Sequence, residues 1–201
     1  MSLRQSEDEL MRDMLRATAS SVNCVSGGNG DNPTEITRSD CDYIVRVLRG
    51  NNAYSFMNGV EGDDKFGTAP VRDAYFALGH TDLIGQLDQV DGFVQKWNYP
   101  RQESTLDAEW GTVANLRFLL SSIGSTTSAA SLLGATVYNN FVVGREAYAA
   151  IEQDGYSAQF IYRPPIYDSP LALNASVGYK FAEVPKILND QWVFNLRCTL
   201  A

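Results

Sequence analysis

The sequence predicts an α+β fold. Clear helical periodicity is concentrated in the first quarter of the chain, and the remainder breaks into short apolar runs of strand length. No repeat of fixed period links those runs, which excludes a solenoid or a propeller. Two helices followed by mixed strands with short helices between them is an α+β order. The 201 residues suffice for one core or two intimately connected lobes. Hydrophobic residues at 44% and charged residues at 20% exclude a disordered chain.

The first helix is predicted over residues 7–22. Ser6 and Glu9 fit a capping box. Leu10, Met11, Met14, Leu15, Thr18 and Val22 mark one face, and Arg12, Asp13 and Arg16 the other. A charged helix opening this close to Met1 reads as a chain trimmed at a domain boundary. Residues 26–33, SGGNGDNP, form a loop. A second helix follows over 39–49, with Cys41, Ile44, Val45 and Leu48 at helical spacing and Gly50 as its C-terminal cap. Residues 51–62 either prolong it or form a loop.

Residues 63–93 are the most informative stretch. Residues 63–73 are a polar loop punctuated by Gly67 and Pro70, and AYFAL at 74–78 is a covered strand. Gly79 and His80 break it. Thr81 caps a short helix, Asp82 complements its dipole, and Leu83, Ile84 and Leu87 form its apolar stripe. Residues 94–105 are a polar, aromatic loop, and Trp110 and Gly111 open another. A strand is predicted over 113–120, a flexible low-complexity segment over 121–131, and a buried strand over 137–143. Gly144 turns the chain into a short helix over 146–151 that carries Tyr148. The last quarter is β-rich. A strand over 158–162 is halted by Pro164 and Pro165, and residues 175–181 and 192–199 form a closing pair. Pro185 and Asn189-Asp190 punctuate between them, and broken alternation at Val193, Leu196 and Cys198 leaves the register open.

The formal net charge of −8, with basic residues scattered singly, disfavours a tight nucleic-acid binder. The apolar runs fall short of the roughly 20 residues a membrane helix needs. The opening residues lack a basic segment followed by an apolar core, so no signal peptide is expected, and the protein is expected to be soluble and made in a cytoplasm. Cys24, Cys41 and Cys198 are odd in number and widely spaced, and the chain has one His, so the cysteines are expected to be reduced and structural.

His80 and Asp82 sit at a strand-to-helix corner, where a catalytic pair or two metal ligands could lie. With no second His and no nucleophile motif, local capping is the better reading. Gly62-Asp63-Asp64 and Asp31-Asn32 lack the spacing of a calcium loop and read as solvated turns. Gly27, Gly28 and Gly30 are fed by no strand and followed by no Lys, which argues against a phosphate loop. The serines lack a GxSxG elbow. No catalytic residue, cofactor site or metal site is expected. Trp97, Tyr99 and Trp110 bracket a polar loop and either pack it onto its own domain, anchor a protein partner, or stack on a sugar or base.

Several phrases recur in one order along nearly the whole chain. They are RDMLRATAS at 12–20, Glu35-Ile36-Thr37 with the helix ending in Arg49-Gly50, and the loop-strand-turn-helix stretch of 63–93, which includes FGTAPVRD at 66–73. LDAEWG at 106–111, VYNNFVVGREA at 137–147, Gly178-Tyr179-Lys180 and residues 189–197 follow. In this order the chain resembles the phage N-four-like family of tailed-phage major capsid proteins, of the Hong Kong ninety-seven fold type. The resemblance implies the end of a long spine helix and further peripheral-domain helix within 1–65, an axial domain over 66–155, and return strands of the peripheral domain over 156–201. It implies a structural, non-enzymatic subunit of a phage or prophage shell that self-associates into pentamers and hexamers and meets other capsid components. No cofactor, no specific nucleic-acid binding and no membrane partner are implied, and the expected location is the virion capsid, assembled in the bacterial host cytoplasm. The family's N-terminal arm and extended hairpin loop are not found, as in the carboxy-terminal portion of a subunit. Subunit-interface candidates are Phe66, Arg72, Trp97, Tyr99 and Trp110. The alternatives are the shell of a bacterial cargo compartment, which shares the broad fold, and a small metal-dependent hydrolase built on His80, Asp82, Asp63 and Asp64.

Overall fold

The buried strand segment over 137–143 lies at the centre of the main sheet. The computed structural model describes residues 3–27, 30–56, 74–99, 105–129, 135–152, 159–165, 175–180 and 182–200. In chain order the elements begin α1 (Leu3–Thr18), β1 (Ser20–Asn23), α2 (Arg38–Gly50) and β2 (Tyr75–His80). A 3-10 turn (Thr81–Leu83) then runs into α3 (Ile84–Leu87), followed by β3 (Val94–Gln95) and a second 3-10 turn (Lys96–Asn98). Next come β4 (Glu109–Val113), β5 (Leu116–Ser121), β6 (Thr126–Ala129), β7 (Ala135–Val143) and β8 (Tyr148–Glu152). The chain closes with β9 (Gln159–Arg163), β10 (Ser176–Lys180), β11 (Glu183–Ile187), a 3-10 turn (Asp190–Trp192) and β12 (Val193–Thr199).

Eight strands form one sheet in the order β1-β12-β7-β2-β5-β4-β3, with β6 paired to the start of β7. It takes strands from all three expected segments. The length of β7 lets it serve three neighbours. Antiparallel β12 runs along one edge from Val193↔Val143 to Thr199↔Val137. On the other edge its end pairs with β2 and its start with β6. The pairs β1–β12 and β2–β5 are parallel.

Successive side chains of a strand face opposite ways, and here both faces are covered. One face presents Tyr75, Ala77, Leu116, Phe118, Tyr138, Val142, Leu196 and Cys198 to Cys41, Ile44 and Leu48 of α2 and to Leu83 and Leu87. The other presents Phe141, Val143 and Val193 to Leu15 of α1, with Phe76, Leu78 and Trp192 packed around them. Asp40 fixes α2 to the sheet. It is the N3 residue of a capping box with Thr37, whose backbone and side chain it both engages. It also accepts the amides of Val25 at 3.1 Å and Gly27 at 2.7 Å, which ties the segment after β1 to the start of α2.

The structure corrects several local expectations. Helix α1 ends at Thr18, because Val22 leaves for β1 and pairs with Leu196, and Ser6 lies inside the helix rather than capping it. The cap of α2 is Asn51, one residue beyond Gly50. Gly79 and His80 belong to β2. Gly79 provides space: a Cβ there would stand 2.4 Å from Oδ1 of Asn140. His80, not Thr81, is the N-cap. Trp110 and Gly111 lie in β4, and the strand expected over 113–120 is a hairpin whose turn places Ala114 at φ 50° and Asn115 at φ 66°. The loop over 94–105 contains β3 and a 3-10 turn, and the low-complexity segment contains β6.

The helix expected over 146–151 is a turn followed by strand β8, whose backbone pairs with β11, a strand that contains the Pro185 read as punctuation. The expected closing pair does not form. Strand β10 pairs with β9, and β12 pairs with β7 and β1. The loop expected over 63–73 lies outside the described residues.

Candidate functional site

β3 is the terminal strand of the main sheet, and the 3-10 turn after it carries Trp97 outward, 59% exposed. The Lys96 ammonium lies 4.7 Å from the centre of the Trp97 ring, within cation–π range. Tyr99 is half-buried and donates its hydroxyl to Oε1 of Glu109 at 2.8 Å. The half-buried ring of Trp110 packs against the main core, and its Nε1 donates to Oδ1 of Asp88 at 2.9 Å. The structure thus separates the three aromatics. Trp97 faces solvent, whereas Tyr99 and Trp110 tie the segment to the body. Phe66 and Arg72, the other two interface candidates, lie outside the described residues, as do Asp63 and Asp64.

Beneath this segment lies a buried ion pair. Arg117 donates Nε to Oε1 of Glu109 at 2.8 Å and Nη2 to Oε2, and the Leu106 amide donates to Oε2 at 3.1 Å. Burial pushes the Glu109 carboxyl up. The hydrogen bonds from Arg117, Leu106 and Tyr99 to its charged form outweigh that and hold it below its ordinary value. Both oxygens carry two donors each, so the carboxylate is committed to structure and is a poor general base. The pair bridges β4 and β5 beside the irregularity between Glu109 and Gly111. Gly111, at the end of that irregularity, leaves room for the Phe93 ring, from which a Cβ would stand 2.4 Å.

The His80–Asp82 corner is a local cap. Nδ1 of His80 accepts the Asp82 amide at 3.1 Å, and Oδ2 of Asp82 accepts the Tyr138 hydroxyl at 3.1 Å. Among the described residues no three His, Cys, Asp or Glu side chains converge to hold a metal ion. Next to the expected glycine loop, the carboxylate of Asp40 accepts the amides of Val25 and Gly27.

All three cysteines are free and buried. A hydrogen bond with Cys198, then burial, raises the Cys24 thiol, and burial raises the Cys41 thiol. Buried thiols of this kind serve packing. No helix of the described residues is long and apolar enough to cross a membrane.

Sequence reasoning did not single out Asp40, the Glu109–Arg117 pair or Asn140. For Asp40 the signal was present as Thr37-x-x-Asp40, a capping-box spacing. For Glu109 and Arg117 there was none, because their meeting depends on the hairpin register. Two ribbons lie outside the main sheet, β8–β11 and β9–β10; the strands of the second were expected over 158–162 and 175–181, but their pairing with each other was not. There the signal was alternation, with Phe160 and Tyr162 on one strand and Val177 and Tyr179 on the other.

No protein-family model and no curated protein sequence matches the chain. Its structure is similar to that of a chain in the head of Helicobacter pylori bacteriophage KHP40, with a TM-score of 0.64 and 11% identity, over 99% of this chain and 65% of that one. It is also similar to a chain of the acidic stable capsid of Helicobacter pylori bacteriophage KHP30, with a TM-score of 0.59 and 10% identity, over 98% of this chain and 65% of that one. This chain therefore spans just under two thirds of the length of each neighbour. At such identities the likeness concerns the fold, and the fold is the mixed α+β architecture of these phage-capsid chains, as the sequence predicted.

Proposed function

We propose that this chain is a structural, non-enzymatic subunit of a phage capsid shell. The observation that supports the reading best is a fold shared over 99% and 98% of the chain with chains of two phage-head structures. The ordered phrases that resemble phage N-four-like major capsid proteins add the family, and with it a carboxy-terminal portion of the subunit. They also add the division into peripheral (1–65), axial (66–155) and peripheral (156–201) parts.

On this reading the protein works by geometry. Each copy presents complementary patches that close into rings of five and six. Each contact buries on the order of 1,000 Å², and many weak contacts sum to a stable shell. Partners are further copies and other capsid components, and the location is the virion, assembled in the host cytoplasm. The net charge of −8 suits a wall that must not adhere to packed DNA. Among the aromatic candidates Trp97 is the contact residue, together with Phe66 and Arg72, while Tyr99 and Trp110 brace the segment from within.

Sedimentation velocity tests this. Expressed as the complete reading frame that contains this chain, the protein should form discrete species far heavier than a single copy. Trp97→Ala and Arg72→Glu should lower that fraction while thermal unfolding of the chain stays unchanged. A wild-type protein that stays monomeric at every accessible concentration would contradict the function. Normal heavy species from both variants would contradict the assignment of the contacts.

A further inference from the structure

The β9–β10 ribbon stands apart from both cores, and its register sorts its side chains cleanly. Phe160 pairs with Tyr179 and Tyr162 with Val177. In an antiparallel pair, directly opposed residues share a face, and so do alternate residues along a strand. Phe160, Tyr162, Val177 and Tyr179 therefore make one face without a charge, exposed by 74%, 57%, 63% and 48%. The opposite face carries Gln159, Ile161, Arg163, Ser176, Gly178 and Lys180. A strand pair of this pattern is built to have its apolar face covered, and a two-stranded ribbon is only marginally stable alone.

We infer that the apolar face of the β9–β10 ribbon stacks on the same face of a second copy of this chain. The inference rests on the shell reading only in taking another copy as the occupant. Charge supports that occupant. The chain carries −8, so copies repel one another over most of their surface. The apolar face has no charged side chain, and Arg163 and Lys180 lie on the other side, so two such faces meet without like-charge repulsion. Depletion of charge with enrichment in Tyr and Phe is also the composition of an interface core.

Area supports a contact that works by repetition. An aromatic side chain buries about 150–250 Å². Four large side chains roughly half exposed therefore offer on the order of 400 Å² per copy, below the approximately 800 Å² per partner of a standard stable interface. Such a contact is weak in an isolated pair and effective when repeated through a lattice.

Cysteine cross-linking tests the contact in the assembled protein, since the three native thiols are buried. Val177→Cys places a thiol on the apolar face and Ser176→Cys places one on the opposite face. Packed sheets lie about 10 Å apart, so a bismaleimide of that span should join Val177→Cys copies at least tenfold faster than Ser176→Cys copies. Phe160→Asp added to Val177→Cys should abolish the difference. Equal rates would overturn the inference. So would a Val177→Cys thiol that resists monofunctional maleimide without cross-linking, which means its own chain or another protein covers the face. A thiol that labels freely without cross-linking overturns it as well, because the face is then open. Heavy species without Val177→Cys cross-links leave the shell reading standing and remove the ribbon contact. Cross-linked pairs without heavy species do the reverse.

Discussion

The main sheet and the outer ribbon are both β-structure with period-two alternation, and they differ in what covers them. In the sheet, Phe118 and Leu196 are sealed beneath α2, and Phe141 and Val193 beneath α1. In the ribbon, Phe160 and Val177 alternate just as regularly and face water. Alternation within a strand records which face needs a cover, whereas the cover itself is set by the rest of the chain or by another molecule. The body is thus a finished core, and the ribbon is an unfinished one whose completion we assign to assembly.

Breaking the finished region should have the largest effect. Phe118→Ala removes a ring from the centre of the core and should lower stability by about 3–5 kcal/mol, read from the urea midpoint of the unassembled chain. Arg117→Met should cost a similar 3–5 kcal/mol, because it leaves the Glu109 carboxylate buried without its partner. Adding Glu109→Leu to it should restore much of the loss, and failure of that rescue would show that the pair does more than neutralise itself.

Glu109 also sets a pH dependence. Its folded-state pKa lies below the unfolded value, so its contribution is present above about pH 4.3, the ordinary carboxylate value. The contribution is lost as pH falls through the folded-state pKa. Glu109→Gln should therefore flatten the acid limb of a stability–pH curve and leave its neutral-to-alkaline side parallel to wild type.

A smaller effect tests fit. Gly79→Ala drives a methyl group into the Asn140 side chain and should cost about 1–3 kcal/mol, and Asn140→Ala should relieve part of that cost. The smallest effect belongs to the ribbon. Phe160→Ser should change the stability of the unassembled chain by less than about 0.5 kcal/mol while depleting heavy species in sedimentation. A Phe160→Ser loss comparable to that of Phe118→Ala would erase the distinction between the two regions.

Much of this was legible locally. The stripe Cys41, Ile44 and Leu48 defined α2, and residues 137–143 read as a buried strand. The errors arose where a neighbour decided the outcome. Gly79 read as a breaker because its partner Asn140 lies sixty-one residues away in sequence. Residues 146–151 read as a helix until β11 supplied a pairing edge. For Tyr99 and Trp110 the sequence left packing within the chain and contact with a partner both open, and their polar ends bind Glu109 and Asp88 of the same chain. Among the described interface candidates exposure distinguishes Trp97, a property no spacing in the sequence encodes.

The most direct measurement is negative-stain electron microscopy of the complete reading frame that contains this chain, expressed alone. We expect closed shells or rings of capsomer size. A uniform population of small monomers at every concentration tried would contradict the proposal that this fold serves as a shell subunit.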